Sequence, residues 1–281
     1  FAISVFTAEP GGGSSANIDL NVANSVPTLT SISPASKIAG EGDFILTATG
    51  TNFVNGAVLR LNGSDRPTTF GDATSLTAQL SAADIQTAGS LAVSVLNPAP
   101  GGGASNTLNL EINNPAPALT SLSPTDVMAG SGALTLTVNG SGFINGSVVH
   151  SNGSARTTTF VSSTQLTADV PASDVAGAGT LSITVQTAGP GGGTSNALSL
   201  TVNNPLPSVT EINPASVTAG SAGLTLTVSG SNFVSSSTVK FNGSNRPTTF
   251  VNSGQLTADL SAADIASAGS FSVSVDNPAP G

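Results

Sequence analysis

The chain is poor in the residues that carry most protein chemistry. Its 281 residues include no cysteine, no tryptophan, no tyrosine and a single histidine. Without cysteine there are no disulfides or thiolate nucleophiles, and one histidine cannot form a zinc ligand set. The lack of cysteine does not identify a compartment, because it fits both a reducing compartment and the many bacterial surface proteins that use none.

Charge is also scarce, since only 7% of the residues are Asp, Glu, Lys or Arg. Hydrophobic residues at 38% are enough to build cores, so the low charge does not indicate disorder. The net charge of −9 would repel a phosphate backbone, which argues against nucleic acid as a partner. No apolar run reaches the roughly 18 residues of a membrane-spanning helix, so no membrane span is expected within these residues.

Instead, the chain contains a repeat with a period of 90 residues. Gly11, Gly101 and Gly191 each begin a Gly-Gly-Gly motif, and Phe53, Phe143 and Phe233 share one phase of the period. Solenoid repeats are only about 20–45 residues long, whereas 90 residues suffice for a small independent domain. We therefore expect a row of similar domains.

Within one unit, apolar residues alternate with Ser and Thr, as at Leu134, Leu136 and Val138. This period of two is typical of half-buried antiparallel strands. Asn62-Gly63 and its copies predict tight hairpin turns, while Ala82–Ile85 is long enough only for a helical turn. About seven strands per unit predict an all-β fold made of tandem immunoglobulin-like sandwiches. In the first unit, four of these strands are expected near Thr28–Ser33, Ala57–Asn62, Pro67–Phe70 and Leu76–Leu80.

Two stretches resemble the IPT/TIG domain family. One runs from Pro27 to Pro34 and leads through an alternating strand into Gly50-Thr51-Asn52-Phe53, and the other runs from Ser163 to Ala172. The resemblance implies an immunoglobulin-like sandwich that is not itself catalytic. Tandem, Thr-rich, Lys-poor copies are similar to the bacterial surface members, and the basic loops of the DNA-binding members are missing here.

The sequence offers no catalytic constellation. His150 is the only histidine, and it occupies the phase of Arg60 and Lys240, which is typical of an exposed strand residue. The Gly-Gly-Gly motifs lack the Gly-Lys-Ser/Thr and following helix of a phosphate-binding loop, so they are interpreted as connections between antiparallel strands. We expect no enzyme activity, no catalytic residue, no cofactor and no metal site.

One basic and one acidic residue recur in every unit. Three of the six basic residues share one phase, namely Arg66, Arg156 and Arg246. Two interpretations remain open: a contact with a carboxylate of another domain or subunit, and an edge residue that discourages strand pairing. The acidic set comprises Asp84, Asp174 and Asp264, for which turn capping is favoured over calcium binding.

The frame of the repeat does not match the ends of the chain, because Phe1–Gly11 is in phase with Phe271–Gly281. The predicted division is 1–25, two final strands of a unit; 26–115 and 116–205, two whole units; and 206–281, a unit without its last strand. Either these residues belong to a longer array, or Ile18, Leu20 and Val22 fill the last unit of another copy as a donor strand. Against the second alternative, residues 1–6 would duplicate a strand that the acceptor already has.

The strict repetition predicts a structural protein of an extracellular or cell-surface filament, stalk or sheath. Its partner would be other copies of itself or a continuous array, with head-to-tail strand complementation as one mode of joining. Two alternatives remain. One is a multivalent adhesin that binds surface glycans or proteins, and the other is an accessory region of a large secreted enzyme.

Overall fold

A computed structural model describes all 281 residues, Phe1–Gly281. The chain divides into two compact units. One comprises Phe1–Pro115 with Ala188–Gly192, and the other comprises Ala116–Thr187 with Gly193–Gly281. None of the helical structure has the length and apolar character of a membrane span.

The first unit begins with an extended hairpin. Its four short strands are β1 (Ala2–Ile3), β2 (Phe6–Thr7), β3 (Gly13–Ser14) and β4 (Ile18–Asp19). Strand β1 pairs with β4, and β2 pairs with β3, both antiparallel. All eight strand residues are exposed, so this N-terminal hairpin packs on no core.

The first sandwich follows the hairpin and contains ten strands and a short 3-10 helix, Ala82–Ile85. The strands are β5 (Thr28–Ser33), β6 (Ser36–Ile38), β7 (Phe44–Thr51), β8 (Val58–Leu61), β9 (Ser64–Asp65), β10 (Thr68–Asp72), β11 (Ser75–Leu80), β12 (Gly89–Asn97), β13 (Gly103–Ala104) and β14 (Leu108–Asn113).

These strands form two sheets. One has the order β10-β11-β7-β5, and the other has the order β6-β14-β12-β8-β9, with β13 on β12. Every pairing is antiparallel except that of β6 with β14. Alternate residues of both sheets face inward, and 15 buried residues form the core.

The second unit contains the second and third sandwiches. The second repeats the ten strands of the first: β15 (Ala118–Ser123), β16 (Asp126–Met128), β17 (Leu134–Ser141), β18 (Val148–Ser151), β19 (Ser154–Ala155), β20 (Thr158–Ser162), β21 (Gln165–Val170), β22 (Gly179–Thr187), β23 (Gly193–Thr194) and β24 (Leu198–Asn203). The third has seven: β25 (Ser208–Asn213), β26 (Leu224–Ser231), β27 (Thr238–Phe241), β28 (Ser244–Asn245), β29 (Thr248–Asn252), β30 (Gln255–Leu260) and β31 (Val273–Asp276).

One glycine recurs where two strands pack tightly in each sandwich. At Gly50, an added Cβ would lie 1.9 Å from the Thr28 carbonyl oxygen and 2.6 Å from Cζ of Phe53. Gly140 and Gly230 have the same surroundings. A side chain at this position would displace the buried phenylalanine, so the repeated Gly and Phe form one packing unit.

The structure confirms the predicted fold class, all-β with tandem immunoglobulin-like sandwiches. Each of the first two sandwiches has ten strands instead of the predicted seven or so, because three pairings of only two or three residues add to seven longer strands. Strand β5 has the predicted bounds, and Asn62 and Gly63, both with positive φ, turn β8 into β9. The Gly-Gly-Gly motif at Gly101–Gly103 joins two antiparallel strands, β12 and β13, as interpreted from the sequence.

Candidate functional site

Within residues 207–281, the third sandwich has no counterpart of the strand that closes the other two. In the first sandwich, β14 lies between β6, to which it is parallel, and the first half of β12, to which it is antiparallel. The phase of β14 falls after residue 281 in the third sandwich. Residues 216–218 and 269–272, which share the phases of β6 and early β12, form no strand.

Where β14 would lie, the third sandwich has an open groove of about 460 Å³. Its apolar lining includes Ile212, Val217, Leu226, Phe241 and Phe271. Phe271 is 37% exposed, whereas Leu181, at the same phase of the complete second sandwich, is 8% exposed. Within residues 207–281, the groove is therefore core surface that no strand covers.

The N-terminal hairpin has the complementary feature, apolar side chains without a core. Ile18, Leu20 and Val22 are 78%, 53% and 62% exposed. The residues in their phase in the first sandwich include Leu110 and Ile112, which are fully buried. The hairpin thus presents the inward-facing pattern of a last strand to solvent.

An asparagine connects the hairpin to the first sandwich. The Asn24 backbone N–H donates to the Pro100 carbonyl over 2.7 Å, and Nδ2 donates to the Pro98 carbonyl over 2.8 Å. Gly101 makes room for this contact, since a Cβ there would lie 2.5 Å from that of Ala23. The Gly-Gly-Gly motif therefore turns the chain and leaves room for the asparagine, and its Gly102 N–H donates to the Asn24 carbonyl.

The same contact recurs two periods further along. Asn204 donates from its backbone N–H to the Pro280 carbonyl and from Nδ2 to the Pro278 carbonyl, over 2.6 and 2.8 Å. In both cases the asparagine stands two residues after the position of the last inward-facing residue of a closing strand, Val22 or Val202. The spacing from closing strand to anchoring contact is therefore constant.

Each repeated arginine binds the repeated aspartate of its own sandwich. Nη2 of Arg66 lies 2.8 Å from Oδ1 of Asp84, and Nη2 of Arg156 lies 2.6 Å from Oδ2 of Asp174. Arg246 pairs with Asp264 in the same way. These side chains are largely buried, so each pair is mostly shielded from solvent within its own sandwich. A contact of the arginines with another domain or copy stays a prediction.

The aspartate of the pair also caps the turn before it. In the first sandwich, the backbone N–H and hydroxyl of Ser81 donate to Oδ2 of Asp84 over 2.9 and 3.0 Å. Burial raises the pKa of Asp84, but the hydrogen bonds from Ser81 and Arg66 outweigh it and hold the pKa below the ordinary value. The Ser261 hydrogen bonds lower the pKa of Asp264 likewise. The capping role that the sequence favoured is confirmed at Asp84 and Asp264. It is wrong for Asp174, because Pro171 stands at the position of Ser81 and has neither an N–H nor a hydroxyl to donate.

His150 lies on a strand, β18, as predicted, but it is half-buried and not exposed. Its Nδ1 atom is 3.3 Å from the carbonyl oxygen of Val148, two residues earlier in the same strand. The side chain thus contacts the backbone of its own strand.

Solved structures with some similarity to this chain include carbohydrate-binding and adhesive proteins. One was solved with a xylogluco-oligosaccharide (18% identity, covering 90% of this chain and 59% of that one, TM-score 0.37). Another is a Bacteroides ovatus protein of a mixed-linkage glucan utilization locus, SGBP-B (16%, 80% and 56%, TM-score 0.25). A third is the Yersinia pseudotuberculosis adhesin InvE (18%, 63% and 58%, TM-score 0.36). The chain spans less than two thirds of each, and no curated protein matches it.

A family model provides the stronger comparison. The IPT/TIG domain matches three times in tandem, at residues 27–112, 117–202 and 207–279. These matches cover most of the chain, and each falls on one of the three sandwiches. The chain therefore belongs to the IPT/TIG domain family.

Proposed function

We propose that this chain is a structural segment of an extracellular filament, stalk or sheath, whose copies join head to tail by strand complementation. The observation that carries the proposal is the match between two exposed features of one molecule. The third sandwich has an uncovered apolar groove, and the N-terminal hairpin carries Ile18, Leu20 and Val22 in the pattern of the strand that would cover it.

The energetics favour joining the two features. Each Val, Leu or Ile side chain contributes about 1.5–3 kcal/mol when it moves from water into a core. Burial of three such side chains, together with the groove residues that they cover, would stabilise the contact between two copies. Because the groove and the hairpin are different surfaces, the contact is heterologous, and a heterologous contact that does not close a ring builds an open filament.

An extracellular or cell-surface location and a non-catalytic role belong to the same proposal. The surface is made of Ser, Thr, Asn and Gly rather than charged residues, and the chain repeats one binding-type domain instead of building a single deep site. The repeated arginines would contribute to the contact between copies only through guanidinium N–H groups that do not bind their own aspartates. These arginines are Arg66, Arg156 and Arg246.

The size of the native assembly tests the proposal. We expect the 281-residue chain to grow in mass with concentration in light scattering and to form filaments in negative-stain micrographs. The variant Leu20→Asp, at an exposed position of the hairpin, should stay monomeric, because a carboxylate cannot enter the groove. The matched control is Leu206→Asp, whose leucine is 84% exposed and lies outside both features, and it should assemble like the wild type. A wild-type chain that remains monomeric at every concentration would contradict strand complementation.

One observation favours adhesion as a second candidate function. Phe160 and Phe250, at the same phase, are 38% and 37% exposed on edge strands, each followed by an exposed valine, Val161 or Val251. Equivalent apolar patches on successive domains suit multivalent binding to surface glycans or proteins. A glycan array with the wild type and the double variant Phe160→Ala/Phe250→Ala tests this, since loss of a binding signal in the variant supports adhesion.

A further inference from the structure

We infer that the groove of the third sandwich takes the segment Ile18–Val22 of a second copy in one direction and one register, and that this segment must first leave its own hairpin. The inference rests on the proposed head-to-tail assembly and names the partner segment. It follows from the complete first sandwich, which supplies a template for the missing contact.

The direction is fixed because the groove has two different edges. In the first sandwich, β14 is parallel to β6 on one side and antiparallel to β12 on the other. The corresponding edges of the third sandwich are residues 216–218 and 269–273. An inserted strand satisfies both edges only if it runs parallel to the first and antiparallel to the second.

The register follows from the pairs in the first sandwich. There, Leu91 lies opposite Leu110, and Ser90 lies opposite Glu111. The donor positions lie one period before Leu110 and Glu111, and the acceptor positions lie two periods after Leu91 and Ser90. The same pairing therefore sets Leu20 opposite Phe271 and Asn21 opposite Ser270. A slip of one residue would turn the polar Asp19 and Asn21 into the core, so the alternation of the segment enforces this register.

The side chains of the donor suit the same register. Ile18, Leu20 and Val22 share the phase of Leu108, Leu110 and Ile112, which face the core of the first sandwich. Asp19 and Asn21 share the phase of Asn109 and Glu111 on the outer face. The substitutions between the two segments preserve which positions are apolar and which are polar.

Within the hairpin, residues 1–3 pair with the same backbone edge of Ile18–Val22 that would pair with the groove. Ile3 pairs with Ile18, and the Leu20 N–H donates to the Phe1 carbonyl over 2.8 Å. One period later, Leu91 and Val93 pair with Leu110 and Leu108 in that register. Residues 1–3 therefore mimic the acceptor strand, and they must be released before Ile18–Val22 can pair with residues 269–273.

The exchange favours the groove. Within the hairpin, β1 and β4 share two residue pairs, and both strands are exposed. In the first sandwich, β12 and β14 share five pairs, and β6 adds three more. This exchange also removes the objection that residues 1–6 duplicate a strand of the acceptor, because in the joined state they no longer pair with the donor segment.

A pair of introduced cysteines tests the register, and the absence of native cysteine makes the test clean. In the first sandwich, the Ser90 hydroxyl donates to Oε1 of Glu111 over 3.0 Å, so these positions are neighbours on the outer face. The variant Asn21→Cys/Ser270→Cys should form disulfide-linked ladders on mild oxidation. The matched control, Asp19→Cys/Ser270→Cys, offsets the pair by two residues and should form several-fold fewer, because diagonal neighbours lie too far apart for a disulfide.

A proline in the hairpin tests the exchange. Proline has no N–H, so Ile3→Pro weakens the pairing of β1 with β4. Added to the Asn21→Cys/Ser270→Cys variant, it should speed ladder formation several-fold, because it releases the donor segment. Unchanged or slower cross-linking would show that the hairpin does not compete with the groove.

A synthetic peptide of residues 15–25 separates this inference from the proposed function. Filaments that cross-link in another register would overturn the inference and leave the proposed function standing. A chain that stays monomeric, while the peptide carrying Asn21→Cys cross-links to Ser270→Cys, would uphold the register and show that a second copy does not supply the strand. If neither the chain nor the peptide binds the groove, both proposals are wrong.

Discussion

The first and third sandwiches show what a single strand contributes to this fold. The first has 15 buried core residues and the third has 10, although the two follow the same pattern of inward positions. Part of the difference is that the counterparts of Leu110 and Ile112 fall after residue 281, and the rest includes positions next to them. Leu29 is 2% exposed in the first sandwich, whereas its counterpart Val209 is only partly buried in the third.

The comparison also shows that the last strand orders its neighbours. In the first sandwich, residues 36–38 and 89–92 belong to strands β6 and β12, which both pair with β14. The equivalent residues of the third sandwich adopt no strand. Far from that edge, β26 and β30 pair over six residues, as β7 and β11 do in the first. The four-stranded sheet therefore forms independently of the closing strand.

The largest expected effect comes from shortening a closing side chain. Leu110 is fully buried in the first sandwich, so Leu110→Ala should lower the free energy of unfolding of that domain by about 2–5 kcal/mol. Leu20→Ala, at the same phase in the hairpin, should change the free energy of unfolding of the monomer by less than about 0.5 kcal/mol. Calorimetry on both variants at low concentration measures the contrast. Equal effects would mean that the hairpin strand is already buried.

Supplying the strand should make the third sandwich more like the first. A peptide of residues 15–25 that binds only the folded domain should stabilise it by about 2.7 kcal/mol at one hundred times its dissociation constant. We expect the melting transition of the third sandwich to rise in calorimetry while that of the second stays in place. As a control, the peptide with Leu20→Asp should leave both transitions unchanged.

Much of this fold can be predicted from the sequence, because its signals are local. Alternating apolar residues predict the long strands, and Asn62-Gly63 predicts its turn, since both residues accept positive φ. The parallel pairing of β6 with β14 has no such signal: β6 is three residues long and carries Lys37 at its centre. Only the folded chain shows that these residues pair with a segment more than seventy residues away.

The candidate site could be predicted in part for the same reason. The phase of the repeat indicates that Ile18, Leu20 and Val22 match a closing strand, but it does not show that residues 1–3 hold them in a competing hairpin. The phase of the repeat also identifies the repeated arginines, but it does not predict which residues they bind. Arg66 lies between β9 and β10, and its partner Asp84 lies 18 residues later in the 3-10 helix, so their contact depends on how the folded chain brings these two segments together.

A smaller effect is expected from breaking the arginine–aspartate pair that all three sandwiches share. In the second sandwich, Nε and Nη2 of Arg156 both donate to Asp174. Arg156→Ala should lower the free energy of unfolding by about 1.5–3 kcal/mol, the usual range for hydrogen bonds to charged groups. Arg60→Ala is the matched control, because Arg60 pairs with the exposed Asp65 and should lose less than about 1 kcal/mol. Urea denaturation of the two variants measures the difference.

The smallest effect is a dependence on pH that should leave the contrast between the sandwiches intact. The pKa of Asp84 lies below its ordinary value of 3.8 in the folded state, and so does that of Asp264. A lowered pKa contributes stability that is fully present above the unfolded value and is lost as the pH falls through the folded one. Acid should therefore weaken the first and third sandwiches alike.

The control for this prediction is Asp84→Asn, which cannot titrate at that position. Above pH 3.8 the wild-type first sandwich should be more stable than the variant in urea denaturation, and the two should converge as the pH falls below it. A difference that stays constant down to the lowest pH would show that the charge of Asp84 does not stabilise the turn. Because Asp264 makes the same contacts in the third sandwich, acid should not abolish the lower stability expected there, which comes from the missing strand and not from the ion pair.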